Sequence, residues 1–189
     1  MHAQTLKVGF LPLLGRAMLA RIYRHASTDP NAILLVALEG ELVRGFVLGA
    51  VMPRAFYFRF AVRHCVTVGW RLVTQPLTIF RALSIARYAT SVSQGIQAEL
   101  LSIAVDPAYS RQGIGAALLT AFRIRLAAQD ISMFRVTASD TQKQAIAFYR
   151  KHGGEIIARV TLGGLPSSVF SMHVRFARYH DPLQDRHDC

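Results

Sequence analysis

The stretch "AVDPAYSRQGIGAALL", Ala104 to Leu119, places two glycines where an apolar strand hands over to a helix. A helix N-terminus leaves backbone N–H groups without partners and carries a partial positive charge, so it holds anions well. Gly113 and Gly115 remove side chains where an anion must approach the backbone, and Arg111 and Gln112 can add charge and donors. The motif is not a P-loop, because no Gly-Lys-Ser/Thr follows, and it lacks the third glycine of a dinucleotide fingerprint. From spacing alone, an anion cradle and a plain strand-to-helix turn stay open as equal readings.

Few other residues invite chemistry. Tyr149 carries a phenol that stays protonated at neutral pH and can give its proton to a leaving group. Spacing alone favours a core role for it, since Ala145, Phe148 and Tyr149 share a helical face. Glu99 opens an apolar strand and ends an acid-free stretch that begins after Glu41. It is a candidate base, directly or through a water, with a solvent-facing strand-start glutamate as the equal alternative. Asp106 precedes Pro107 and reads as a turn former. Ser102 and Ser139 have no His/Asp partners in the pattern, and His64, His152 and His173 read as surface or satisfied histidines. Cys65 and Cys189 form neither a disulfide framework nor a metal motif, so no metal is expected.

These residues need elements to hold them. "LPLLGRAMLARIYRHAS" reads as a helix, closed by "STDPN". "AILLVALEGELVRGFVLGAV" reads as a hairpin turning at Glu39-Gly40-Glu41. "ELLSIAV" reads as a strand covered on both faces, 113–129 as a helix, and "MFRVTAS" as another strand. "TQKQAIAFYRKH" reads as a helix closed by Gly153-Gly154, and "EIIARVTL" and "SVFSMHVRF" as a last hairpin around "GGLPSS". Between the first hairpin and "ELLSIAV" lies the segment 52–98, rich in arginine and aromatics. Pro76 can start a helix there with Ile79, Phe80, Leu83 and Ala86 on one side. Arg59 and Arg63 are four residues apart, so a helix would put them on one face. The segment is expected either to wall an acceptor site or to meet an anionic surface, against the plainer reading of a solvated cationic face.

The bulk numbers bound the function. The chain has 189 residues, 52% hydrophobic and 17% charged, which suits one globular domain over 1–189, with 180–189 a frayed tail. The mean hydropathy of +0.28 is high, yet arginines interrupt every apolar run before it reaches a membrane span. "MHAQTLKVGF" lacks a signal-peptide pattern, so a cytoplasmic protein is expected, with peripheral contact at the inner membrane face compatible with its charge. A net charge of +11 calls for an anionic partner, but no zinc-finger or aromatic-basic motif points to nucleic acid.

The two motifs taken together are specific. "V-D-P-x-Y-x-x-x-G-I-G-x-x-L-L", followed about thirty residues on by "A-I-x-F-Y-x-K-x-G", resembles the GNAT superfamily of N-acetyltransferases. The long basic segment resembles, more loosely, members found in bacterial glycan and polysaccharide pathways. The resemblance implies an α/β (α+β) fold, a central mixed twisted sheet of about six to seven strands flanked by helices, here with a basic helical insertion. It implies acetyl-CoA as co-substrate, its pyrophosphate on the amides of Arg111, Gln112, Gly113, Ile114, Gly115 and Ala116. The pantetheine arm would lie along Ile103, Ala104 and Val105 like an added strand, with Gln142 beside it where the family often has Asn. Ser110 stands where the family has Arg or Gln, and Arg111 is the candidate to supply that charge. The resemblance makes Tyr149 the general acid and leaves Glu99 as the candidate base. The expected activity is acetyl transfer to a primary amine of a small anionic acceptor, such as a nucleotide- or lipid-linked amino sugar, with Arg59 and Arg63 binding it. Acetylation of a protein N-terminus or lysine, and a non-catalytic acyl-CoA-binding protein, are the alternatives. A homodimer is compatible with all of these.

Overall fold

A computed structural model describes residues 16–63, 95–162 and 164–175. The expected helix near Pro76, the turns of the first helix before Arg16, and the tail all lie outside the described residues. The described elements run α1 (Arg16–Ala26), β1 (Ala32–Glu39), β2 (Leu42–Val51), α2 (Pro53–Arg63), β3 (Ala98–Val105), a 3-10 turn (Pro107–Tyr109), α3 (Ile114–Ala127), β4 (Met133–Ser139), α4 (Lys143–Lys151), β5 (Glu155–Leu162) and β6 (Leu165–His173).

The strands form one six-stranded sheet in the order β1-β2-β3-β4-β6-β5. All neighbours are antiparallel except β3 and β4, which are parallel and joined through α3. Parallel strands need a crossover of this kind, whereas β1 and β2 need only the short turn at Gly40, whose φ of 59° suits glycine.

Each sheet face buries its own core. On one face Ala98 and Leu100 of β3 and Phe134 and Val136 of β4 pack with Leu119, Phe122 and Leu126 of α3. On the other, Leu48 and Ala50 of β2 pack with Ile22 of α1 and with Phe56 and Phe60 of α2. Gly49 has no side chain because the ring of Phe122 fills the space a Cβ would need. The apolar run "ELLSIAV" is therefore a strand covered on both faces, as its lack of alternation predicts.

Two features shape the cleft. β3 and β4 pair at only three positions, Ala98 with Phe134, Glu99 with Arg135 and Leu100 with Val136. Beyond them β3 stays with β2, after a register shift that leaves Leu101 out of the pairing. β4 stays with β6 as far as Ser139. The sheet thus opens into a fork between 101–105 and 137–139. Strand backbone along such a gap needs hydrogen-bond partners from elsewhere.

The second feature fixes α2. Asp29, in the turn after α1, accepts two hydrogen bonds from Arg59, from Nε and Nη2, each at 2.7 Å. The same carboxylate accepts from the Asn31 amide at 2.8 Å and lies 3.3 Å from Nε2 of His25. The Arg59 guanidinium holds Asp29 below the usual carboxylate range.

Candidate active site

At the open end of the fork β3 turns into α3. Asp106 accepts a hydrogen bond from the Ala108 amide at 3.2 Å and starts the 3-10 turn, as a turn former should. The loop then twists: Arg111 has φ 63° and Gly113 φ 82°. Gly113 is the N-cap of α3 and offers no side chain to cap the first amides of the helix. The first turn carries no acidic residue either. The helix start keeps both its donors and its partial positive charge for an outside anion. A Cβ on Gly113 would meet nothing within 4 Å, so that glycine serves the left-handed backbone as much as ligand access. Gly115 differs: a Cβ there would lie 3.6 Å from the Phe148 ring and 3.7 Å from Val105, in ordinary contact at the wall of the fork.

Fork and loop open into one cleft of about 1150 Å³. Of the residues expected to bind the cofactor, Ile103, Ala104 and Val105 line it from β3. Arg111, Gly113, Ile114, Gly115 and Ala116 line it from the loop and α3, and Gln142 from the start of α4. Gln112 sits in the loop but not in the lining. The amide oxygen of Gln142 accepts from the Ser139 N–H at 3.3 Å, which ties α4 to the end of β4.

Both expected proton-transfer residues reach the same cleft. Tyr149 is buried in the α3/α4 core, its ring 5.7 Å from that of Phe170 and 5.5 Å from that of Phe148. Burial pushes its phenol well above the ordinary value. It is therefore protonated at any physiological pH, the state a donor requires. Glu99 lies at the root of the fork, nearly buried, with Oε2 accepting from Nη2 of Arg135 at 2.8 Å. Burial raises the carboxyl from its ordinary value of 4.5, and the charge and hydrogen bond of Arg135 oppose that rise.

The two arginines expected to bind the acceptor do not join this cleft. Arg59 and Arg63 line a separate groove of about 410 Å³ with Phe58 and Val62 of α2 and the turn after α1. Helical spacing puts them on one element, but the carboxylate of Asp29, thirty residues upstream, engages the guanidinium of Arg59.

Two participants were not anticipated. Arg135 is 2% exposed in the middle of β4. An arginine inside the apolar run "MFRVTAS" is the signal, since a buried cation needs an anion. Tyr109 also lines the cleft, under the guanidinium of Arg44, 3.9 Å from the ring centroid.

Residues 79–153 match the family model of the acetyltransferase (GNAT) domain, a stretch that holds the glycine loop, α3, the β3–β4 fork and Tyr149. Over this stretch the chain is similar to a GNAT acetyltransferase domain. Several solved structures share its fold. SsHAT superposes with a TM-score of 0.61 at 18% identity, over 82% of this chain and 78% of that one. Ard1 from Thermoplasma volcanium gives 0.54 at 19% identity, over 85% and 80%. The PaiA N-acetyltransferase from Thermoplasma acidophilum, in complex with coenzyme A, gives 0.50 at 17% identity, over 82% and 69%. No curated protein matches the sequence. GNAT acetyltransferases use acetyl-CoA, and the cleft has features that suit such a co-substrate. The uncapped α3 start suits a diphosphate, the fork suits an extended amide-bearing arm, and Gly115 leaves the wall between them bare. Among the described residues no helix is long and apolar enough to cross a membrane.

Proposed function

We propose that this protein transfers the acetyl group of acetyl-CoA to the primary amine of a small acceptor, by direct attack while both substrates are bound. The observation that carries this reading is that Glu99 and Tyr149 both line one cleft. The amine nitrogen bonds to the acetyl carbon and the carbon–sulfur bond breaks. Glu99 takes the proton the amine must lose, directly or through a water, and Tyr149 gives a proton to the departing sulfur. Backbone N–H groups of β3 around Ile103 face the carbonyl oxygen as negative charge gathers there. The α3 amides and Arg111 hold the diphosphate, Gln142 sits beside the arm, and binding both substrates at once supplies proximity.

An anionic acceptor, such as a nucleotide- or lipid-linked amino sugar, is supported by the acid-free sequence from Leu42 to Ala98. Arg59 lends it less, because Asp29 holds its guanidinium. On α2, Phe58 is 71% and Val62 59% exposed, beside the exposed Arg54 and Arg63. Apolar side chains beside exposed arginines suit an anionic lipid surface, which supports an acceptor presented at a membrane. The test is thiol release from acetyl-CoA with a panel of amines, each product checked by mass spectrometry. Nucleotide-linked amino sugars, lipid-linked amino sugars in anionic vesicles, and peptides with free N-termini form its arms. The proposal expects N-acetylated amino sugar. Turnover of peptides alone would move the acceptor to proteins, and binding of acetyl-CoA with no thiol release from any amine would contradict catalysis.

A further inference from the structure

Glu99 and Arg135 stand directly opposite each other in the parallel β3–β4 register, one residue before the strands part. Their side chains meet at 2.8 Å, with Arg135 2% and Glu99 8% exposed, and Glu99 faces the cleft. The backbone neighbours on the outer strands are neutral: Ala50 of β2 opposite Glu99, and Ser171 of β6 opposite Arg135. From α2 the cleft receives Tyr57, and from α4 Tyr149. The charge and hydrogen bond of Arg135 act on this carboxylate, against its burial.

We propose that Arg135 is the positioning residue for acetyl transfer, fixing the Glu99 carboxylate at the root of the fork in its ionised form. The proposal rests on Glu99 as the base. A carboxylate in so dry a place would take up a proton and lose its function if left alone. The guanidinium opposes this, and its hydrogen bond to Oε2 leaves Oε1 as the oxygen for the amine's proton. Carried on a rigid strand pair, the carboxylate stays at one place relative to the fork.

The test is the pH dependence of kcat, at saturating acetyl-CoA and amine, for wild type, Arg135→Met, Arg135→Gln, Arg135→Lys and Glu99→Gln. Turnover needs Glu99 ionised, so kcat falls as pH drops through its pKa. Removing the positive charge raises that pKa, and the acid limb moves to higher pH by about 1–3 units, the usual effect of one adjacent cation. Arg135→Met then loses turnover at neutral pH and regains it in alkali, with KM for acetyl-CoA unchanged. Arg135→Gln keeps a donor to Glu99 and protects the fold, yet shows the same shift. Arg135→Lys keeps the charge and returns the limb toward wild type. A merely structural ion pair would lower melting temperature but leave the limb where it is. That outcome, with Glu99→Gln still impaired, overturns the role of Arg135 alone. A Glu99→Gln variant with wild-type kcat and limb overturns the base assignment, and the proposal with it.

Discussion

Tyr149→Phe is expected to lower turnover by ~10²–10⁴-fold, the range for a lost general acid, while acetyl-CoA affinity stays nearly constant. The substitution removes one oxygen and keeps the ring. Tyr149 is 5% exposed and packs against Phe148 and Phe170, so the core contacts that hold α4 survive in phenylalanine. Stability should therefore change little and the loss should appear in kcat. Because burial lifts the phenol far above neutral pH, the wild-type rate should show no loss of the donor on the alkaline side of the physiological range. Steady-state kinetics with calorimetric titration of acetyl-CoA separates the two effects. A variant of wild-type rate would make Tyr149 a core aromatic and nothing more.

Glu99→Gln is expected to lower kcat by ~10²–10³-fold near neutral pH, in the general-base range. The sign of its pH dependence follows from burial. The carboxyl sits above its ordinary value of 4.5, and only its ionised form takes a proton. Wild-type kcat should therefore fall with decreasing pH through a point above 4.5. In Glu99→Gln that limb should vanish, and the two rates should converge at alkaline pH, where the acceptor amine is already neutral. Parallel profiles over the whole range would remove Glu99 from the chemistry.

How far the sequence discloses this depends on the distance over which each feature is decided. Local features were legible. The turn at Gly40, the strands Met133–Ser139 and Glu155–Leu162, and the helix after Gly113 follow from periodicity, glycine and proline within a few residues. Even there tertiary pairing intervened: "GGLPSS" reads as a turn, yet β6 already starts at Leu165, with Pro166 opposite Thr161. The proline has no amide to donate, but its carbonyl accepts the Asp140 N–H at 2.9 Å.

The site divides in the same way. The glycine loop and the Phe148-Tyr149 pair are contiguous motifs, and both stand at the cleft. The fork carries no local mark, because it arises where two strands more than thirty residues apart stop pairing. The partners of the charges are long-range as well. Glu99 finds Arg135 across that pairing, and Arg59 finds Asp29 across the first hairpin. A helical wheel that groups Arg59 with Arg63 cannot contain Asp29, so what looks like a free cation from sequence is a tether in the fold.

Calorimetric titration of acetyl-CoA into Gly115→Leu decides whether the fork and the α3 start hold that ligand. Gly115 has ordinary backbone geometry in the first turn of α3, and leucine is a better helix former than glycine. A leucine side chain would start between Phe148 and Val105 and extend into the space claimed for the ligand. The expected variant keeps an undiminished melting temperature and binds acetyl-CoA about tenfold or more weakly, ~1.4 kcal/mol or above. Wild-type affinity in a folded Gly115→Leu protein would mean that the ligand lies elsewhere and that the glycine serves only the turn.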